Sequence, residues 1–366
     1  MIDGNVRLSH QDMARQLGCD KSTISLALRG SPRISEETRK RICALAEELG
    51  YRPDPTLAML ARHRWASRQR AASEVTLAYI VNRQRPFYSV QQPYFKGANA
   101  RAQERGFKLI EFNLDEYSSG RAASKVLYHR GIRGLILSCI PPDELAPVMT
   151  LDWEKFTLVS LSHGWGHVPV HAVGNNYFAS TRMVWHEVAK RGYARIGGAL
   201  MQEDPPSIVD TLRLGASMVA QKELSVLRDL ALLPIDFSND PEPFLRWVER
   251  FKPDAIIGRD RILYEWLRQA GYRIPEDMAF ANLIADPDEA LAGASVMVDK
   301  VGAAAVDHLI AQMHDNCWGL PAIRQTLELE PQWIDGPTLP EFSPTAHIVV
   351  ATNDEQTKLS RSSRRI

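Results

Sequence analysis

The chain has 366 residues, 45% apolar and 24% charged, which excludes a disordered or fibrous class and leaves room for two or three globular domains. Lys plus Arg and Asp plus Glu both number 44, and a formal net charge of zero argues, taken whole, against a strongly basic nucleic-acid binder. The total hides a segregation, because residues 1–72 carry 13 basic against 8 acidic side chains while residues 73–366 carry 31 against 36.

A basic head on an acidic body points to a polyanion partner for the head. Residues 6–50 read as three short helices. Ser9 can cap the first, with Met13, Ala14 and Leu17 apolar, and Gly18 stands where a helix stop in the left-handed region is expected. The second is predicted over 21–29, with Asp20 as N-cap and Ile24, Ala27 and Leu28 facing inward. The third starts at Ser35, has Glu36 and Glu37 in its first turn, and repeats Ile42, Leu45, Ala46 and Leu49 at helical spacing before Gly50.

A helix-turn-helix needs a small residue at the crossing, a glycine at the turn and an apolar anchor on the second helix. Ala14, Gly18 and Ile24 meet that need at intervals of four and six. The second helix then leaves Lys21, Ser22, Ser25, Leu26 and Arg29 on one outward stripe, which suits base edges in a major groove. A helical bundle with a solvated polar face reads the same residues more plainly. Residues 51–72 lack a core pattern; YRPDP is a turn, 55–61 could form a helical turn or two, and the rest is a basic linker.

From residue 75 the rhythm changes to strands alternating with helices. Apolar runs are predicted as strands at 75–81, 107–114, 134–140, 156–162, 195–200, 254–258, 278–283 and 294–299, with helices such as 94–106 and 176–192 between them. Continuous apolar strands of this kind mean parallel α/β sheets buried on both faces, and this much chain predicts two lobes. The stretch from 339 reads as a disordered tail.

Cys19, Cys43, Cys139 and Cys317 form no CxxC pair and are expected to be reduced and buried. With no apolar leader at the N-terminus, a cytoplasmic location is expected. GxGxxG, Walker A and GxSxG motifs are absent, and HEVAK at 186–190 lacks the second histidine of HExxH. His163, His167 and His171 read as loop histidines. No catalytic residue, metal site or cofactor is expected, and the chain is not read as an enzyme.

DMARQLGCDKSTISLALRG, ISEETRKRICALAEELGYRPD and the short segment ending at Leu60 resemble the headpiece of the lactose-repressor family of bacterial transcription regulators. RGYARIGG, DTLRLGAS, PDAIIGRD, AGYRIPEDMAFANL and VDKVGAAAVDHLIAQM resemble that family's core signatures in order, so the likeness spans roughly residues 6–335. It implies an all-α helix-turn-helix head at 1–54, a hinge helix and linker at 55–72, and at 73–338 an α/β core of two lobes, like a periplasmic binding protein, that binds effector and dimerises. The tail is then 339–366. Lys21, Ser22 and Leu26 match base-reading positions, with Thr23 and Ser25 beside them and Arg29 at the helix end. Arg33, Ser35, Thr38 and Tyr51 match positions near the phosphate backbone, and Leu60 matches a leucine inserted in the minor groove. Asp54 stands where an asparagine is common, followed by Pro55, which favours starting the hinge helix over contacting phosphate.

The same resemblance implies a nucleoid-associated homodimer on double-stranded DNA, a pseudo-palindromic operator, repression as the output, and a small effector in the cleft between the lobes, a sugar or sugar acid. Tyr94, Phe95, Asn175, Asn176, Arg213 and Asp260 align there. Asn175 replaces a frequent aspartate, Arg259 replaces an asparagine, and Ile284 and Ala285 stand where an aspartate is expected. Acceptors for sugar hydroxyls are thus fewer and a cation is added, which tilts the ligand from a plain neutral hexose toward an anionic or unusual one, or toward no small effector at all. The alternative is a cytosolic small-molecule-binding protein with a protein-interaction head.

Overall fold

The computed structural model describes residues 10–28, 34–49, 75–83, 88–138, 150–162, 168–202, 206–224, 227–234 and 240–342. Ser9, Arg29, Arg33, Tyr51, Leu60, Cys139, His163, His167, the hinge and linker at 55–72 and all but four residues of the expected tail lie outside them.

Three helices open the described chain: α1 (His10–Leu17), α2 (Lys21–Leu28) and α3 (Glu36–Glu48). Met13, Ala14, Ile24, Ala27, Ile42 and Ala46 bury together, two residues from each helix, with Leu17, Leu28, Leu45 and Leu49 packed around them. Gly18 takes φ +62° between α1 and α2, a left-handed conformation that any side chain would strain. Cys19 N–H donates to the Ala14 carbonyl at 3.1 Å, closing the turn.

The rest is α/β. The first sheet has the order β11-β5-β4-β3-β1-β2, with β1 (Val75–Val81), β2 (Phe107–Asn113), β3 (Gly134–Leu137), β4 (Thr157–Leu161), β5 (His171–Asn175) and β11 (Thr326–Leu329). Helices α4 (Tyr88–Glu104) and α5 (Gly120–His129) connect its leading strands. The second sheet has the order β12-β10-β9-β8-β6-β7, with β6 (Arg195–Gln202), β7 (Leu227–Pro234), β8 (Ala255–Gly258), β9 (Ala279–Asn282), β10 (Ala292–Ser295) and β12 (Gln332–Ile334). Its helices are α6 (Tyr177–Lys190), α7 (Ile208–Glu223), α8 (Glu242–Phe251) and α9 (Arg261–Gln269), and α10 (Val298–His314) follows β10. β6, β7, β8, β9 and β10 pair in parallel, whereas β12 runs antiparallel to β10.

By contacts the chain forms two compact units, Met1–Ser160 with Pro169–His171 and Gly302–Arg324, and Leu161–Val168 with Ala172–Val301 and Gln325–Ile366. In the second unit, strand alternation sends Ala255 and Ile257 into one core with Val184, Trp185 and Val188, and Ile256 into another with Phe244, Trp247 and Trp266. Both faces of that sheet are therefore dry, as parallel sheets require. Gly197 lies inside β6 because a Cβ there would stand 2.5 Å from the Trp247 ring.

Several expectations need correction. The last predicted strand lies earlier, at β10, because Val298 already begins α10. His171 is buried in β5 rather than in a loop, its ring 5.5 Å from that of His308. Cys43 and Cys317 are exposed and Cys19 is half-buried, so the expected burial of the cysteines fails for all three described ones. Residues 339–342 are not the start of a loose tail: Leu339 is buried in the second unit, Phe342 N–H donates to the Arg191 carbonyl, and the Tyr193 hydroxyl donates to that of Pro340.

Candidate nucleic-acid interface and effector-binding residues

The head places its predicted residues by helical geometry. α2 begins where the Asp20 carbonyl accepts Thr23 N–H at 2.9 Å, and it buries Ile24 and Ala27 completely. At 100° per residue Ser22, Ser25 and Leu26 then project from the opposite side, with Lys21 and Thr23 on the flanks. Lys21 and Ser22 are exposed, and Thr23, Ser25 and Leu26 are half-buried. The predicted stripe is thus present as far as Leu28.

Ser35 is exposed and caps α3, its Oγ accepting Thr38 N–H at 3.3 Å and lying 2.8 Å from Thr38 Oγ1. These two residues, both expected near phosphates, bond to each other at the start of α3. Glu36, beside them, pairs with Arg39, and that hydrogen bond raises the Arg39 pKa. The α3 N-terminus therefore carries paired charge.

In the first unit, Tyr94 is buried on α4 and Phe95 sets its ring edge-on to Tyr79, with centroids 5.3 Å apart. A Cβ on Gly302 would stand 2.1 Å from the Tyr94 carbonyl oxygen, so α10 approaches α4 with no room for a side chain. Asn82 and Ser138, directly after β1 and β3, are buried polar groups at the carboxyl ends of the strands, and Asn82 Oδ1 has no hydrogen-bond partner among the described residues. Sequence reasoning missed both. Their signal was a small polar residue ending an apolar run, VTLAYIV then Asn82 and GLIL then Ser138.

In the second unit, Asn175 is buried at the end of β5 and Asn176 caps α6, accepting Ala179 N–H at 2.9 Å while its amide donates to Glu330 at 3.1 Å. Arg213 is 3% exposed on α7, its guanidinium 5.0 Å from the centre of the Tyr177 ring. One turn before it, Asp210 is buried in a reciprocal capping box with Ser207. Arg259 donates to the Met201 carbonyl at 2.7 Å and lies 3.6 Å from Asp210 Oδ1. Arg259 thus bonds the carbonyl near the end of β6, and Arg213 stands over an aromatic ring. Asp260 is exposed and caps α9 through Ile262 N–H at 3.2 Å, which occupies one of its oxygens. Ile284 is at the surface and Ala285 is buried, so neither supplies an acceptor. Tyr177 and Asp210 were not anticipated; only the packing around Arg213 and Arg259 identifies them.

The family described as bacterial regulatory proteins, lacI family, matches residues 10–54. The operon regulator NtdR, of NTD biosynthesis in Bacillus subtilis (strain 168), is 23% identical over 285 residues, covering 73% of this chain and 80% of that one. The lac repressor dimer bound to operator and the anti-inducer ONPF aligns with 17% identity and a TM-score of 0.56, covering 91% of this chain and 99% of that one. The transcriptional regulator CelR in complex with cellobiose gives 17% identity and 0.54, covering 91% and 100%. The family match lies over the head and includes the whole of α2. No helix among the described residues is long and apolar enough to cross a membrane. The head thus matches the family of bacterial regulatory proteins, lacI family, and the α/β core shares its fold with the solved regulators it aligns with.

Proposed function

We propose that this regulator is a homodimeric repressor that sets α2 of each head in a major groove of a pseudo-palindromic operator. The observation that carries the reading is the orientation of α2, which buries Ile24 and Ala27 and turns Lys21, Ser22 and Leu26 outward. Lys21, Ser22, Thr23, Ser25, Leu26 and Arg29 read bases; Arg33, Ser35, Thr38 and Tyr51 approach phosphates; Leu60 enters the minor groove. Arg29, Arg33, Tyr51 and Leu60 lie outside the described residues, and their assignments rest on the resemblance of the sequence alone.

The core takes a small effector at the carboxyl ends of its strands, where open α/β sheets place their ligands. Tyr94 and Phe95 serve in the first unit and Asn175, Asn176, Arg213 and Asp260 in the second. Arg213 is the group best suited to an anion, a fork of donors already desolvated on Tyr177. Arg259 acts behind it, holding Asp210 and the end of β6. The effector class is a sugar acid or a comparable carboxylate. It shifts the population between operator-competent and released states by binding one more tightly than the other.

Titration of the full chain on operator duplex at rising salt tests the first part: affinity falls steeply if lysines and arginines displace counterions. Salt-independent binding overturns it. Leu60→Ala tests the wedge, and unchanged bending in a circular-permutation assay refutes it. A thermal-shift screen of neutral sugars against sugar acids tests the effector class, with Arg213→Ala removing any acid-specific shift.

A further inference from the structure

The leucines of α2 are sorted. Leu28 packs against the head core formed by Met13, Ala14, Ile24, Ala27, Ile42 and Ala46, whereas Leu26 is not among the residues gathered there and stays half exposed. One turn separates Leu26 from Ser22, and both point away from the fully buried Ile24. A leucine branch therefore stands on the presented face of the helix, bracketed by the hydroxyls of Ser22, Thr23 and Ser25 with the Lys21 ammonium at its amino end.

Of the groups displayed in a major groove, the thymine C5-methyl is the one alkyl group. A leucine cannot bond to the edges of guanine, adenine or cytosine, and against them it would leave a base donor or acceptor dry and unpaired. A hydroxyl donates or accepts, so Ser22 and Ser25 tolerate either orientation of a pair and specify little by themselves. The excess of basic over acidic residues in 1–72 supplies attraction to the duplex without choosing a base. Discrimination at the step facing Leu26 is thus apolar. We infer that each operator half-site carries a thymine whose 5-methyl group packs on Leu26, a reading that rests on α2 being the helix that enters the groove.

The test uses the full-length protein and a selection from random duplexes, followed by replacing each thymine of the selected operator with uracil. That change deletes one methyl and leaves every hydrogen-bonding group and phosphate in place. Uracil at the contacted position of one half-site should weaken binding about fourfold, the worth of one buried methyl, and about sixteenfold when both half-sites are changed. In Leu26→Ala the thymine and uracil operators should bind alike; the variant keeps the head core intact, which circular dichroism checks. Neutral uracil replacements throughout, or discrimination that persists in Leu26→Ala, overturn the methyl contact while leaving DNA recognition standing. Failure to enrich any duplex overturns both.

Discussion

The head and the second α/β unit handle polar side chains in opposite ways. In the head the core is six apolar residues, and Lys21 and Ser22 stand in water. In the second unit Arg213, Asp210 and Asn175 are buried at the ends of strands and starts of helices. Under the proposed function, the difference follows from the size of the partner. A duplex is reached from outside and needs groups presented on a rigid surface, whereas a small molecule must be wrapped, so its binding groups are desolvated before it arrives. The cost is also different. An exposed lysine destabilises nothing, but a buried guanidinium must be held by neighbours, here the Tyr177 ring.

Breaking the head alone gives the largest effect. Ile24→Asp buries a charge in a core too small to adapt, at a cost of about 4 kcal/mol, and should abolish operator binding while the thermal transition of the core is unchanged. A lowered core transition would mean that the regions are not separable. Gly302→Ala does the reverse: its methyl meets backbone of α4, so the first unit should lose about 3 kcal/mol in denaturant unfolding. Arg213→Ala should weaken an anionic effector by about 2 kcal/mol in calorimetry and leave effector-free operator affinity as it was. Lys21→Ala should cost about 1 kcal/mol of operator affinity with no effect on effector binding.

The smallest effect is a pH dependence in the first unit. Burial, and then neighbouring His171, lower the pKa of His308 below its ordinary 6.5, so the folded state favours the neutral ring. The stability it contributes is present above pH 6.5 and is lost as pH falls below that value. His308→Phe should flatten the acid side of the melting-temperature profile. An unchanged profile would show that the ring is not desolvated in solution.

The head was legible because its information is local. Gly18 at the turn, the helical spacing of Ile24 with Ala27 and of Ile42 with Ala46, and Ser35 before two glutamates each act within a few residues. Strands β1, β6 and β8 were legible because burial on both faces leaves continuous apolar runs. β7 was not: in ELSVLRDLALLP the apolar residues interleave with charge at a spacing that also fits a helix, and only pairing beside β6 decides for a strand. β5, β11 and β12 are short, and each is specified by the strand beside it.

The sequence by itself determined the helix-turn-helix head, the alternation of strands and helices, and the segregation of charge that a neutral total concealed. Each rests on spacing along the chain, which sequence displays directly. The tertiary structure decided which side chains meet. It left Leu26 outside the head core, tied Arg259 to Asp210, laid Arg213 on Tyr177 and folded residues 339–342 back onto the second unit. Those outcomes depend on contacts between elements distant in sequence, where packing and desolvation, rather than local propensity, choose the partner.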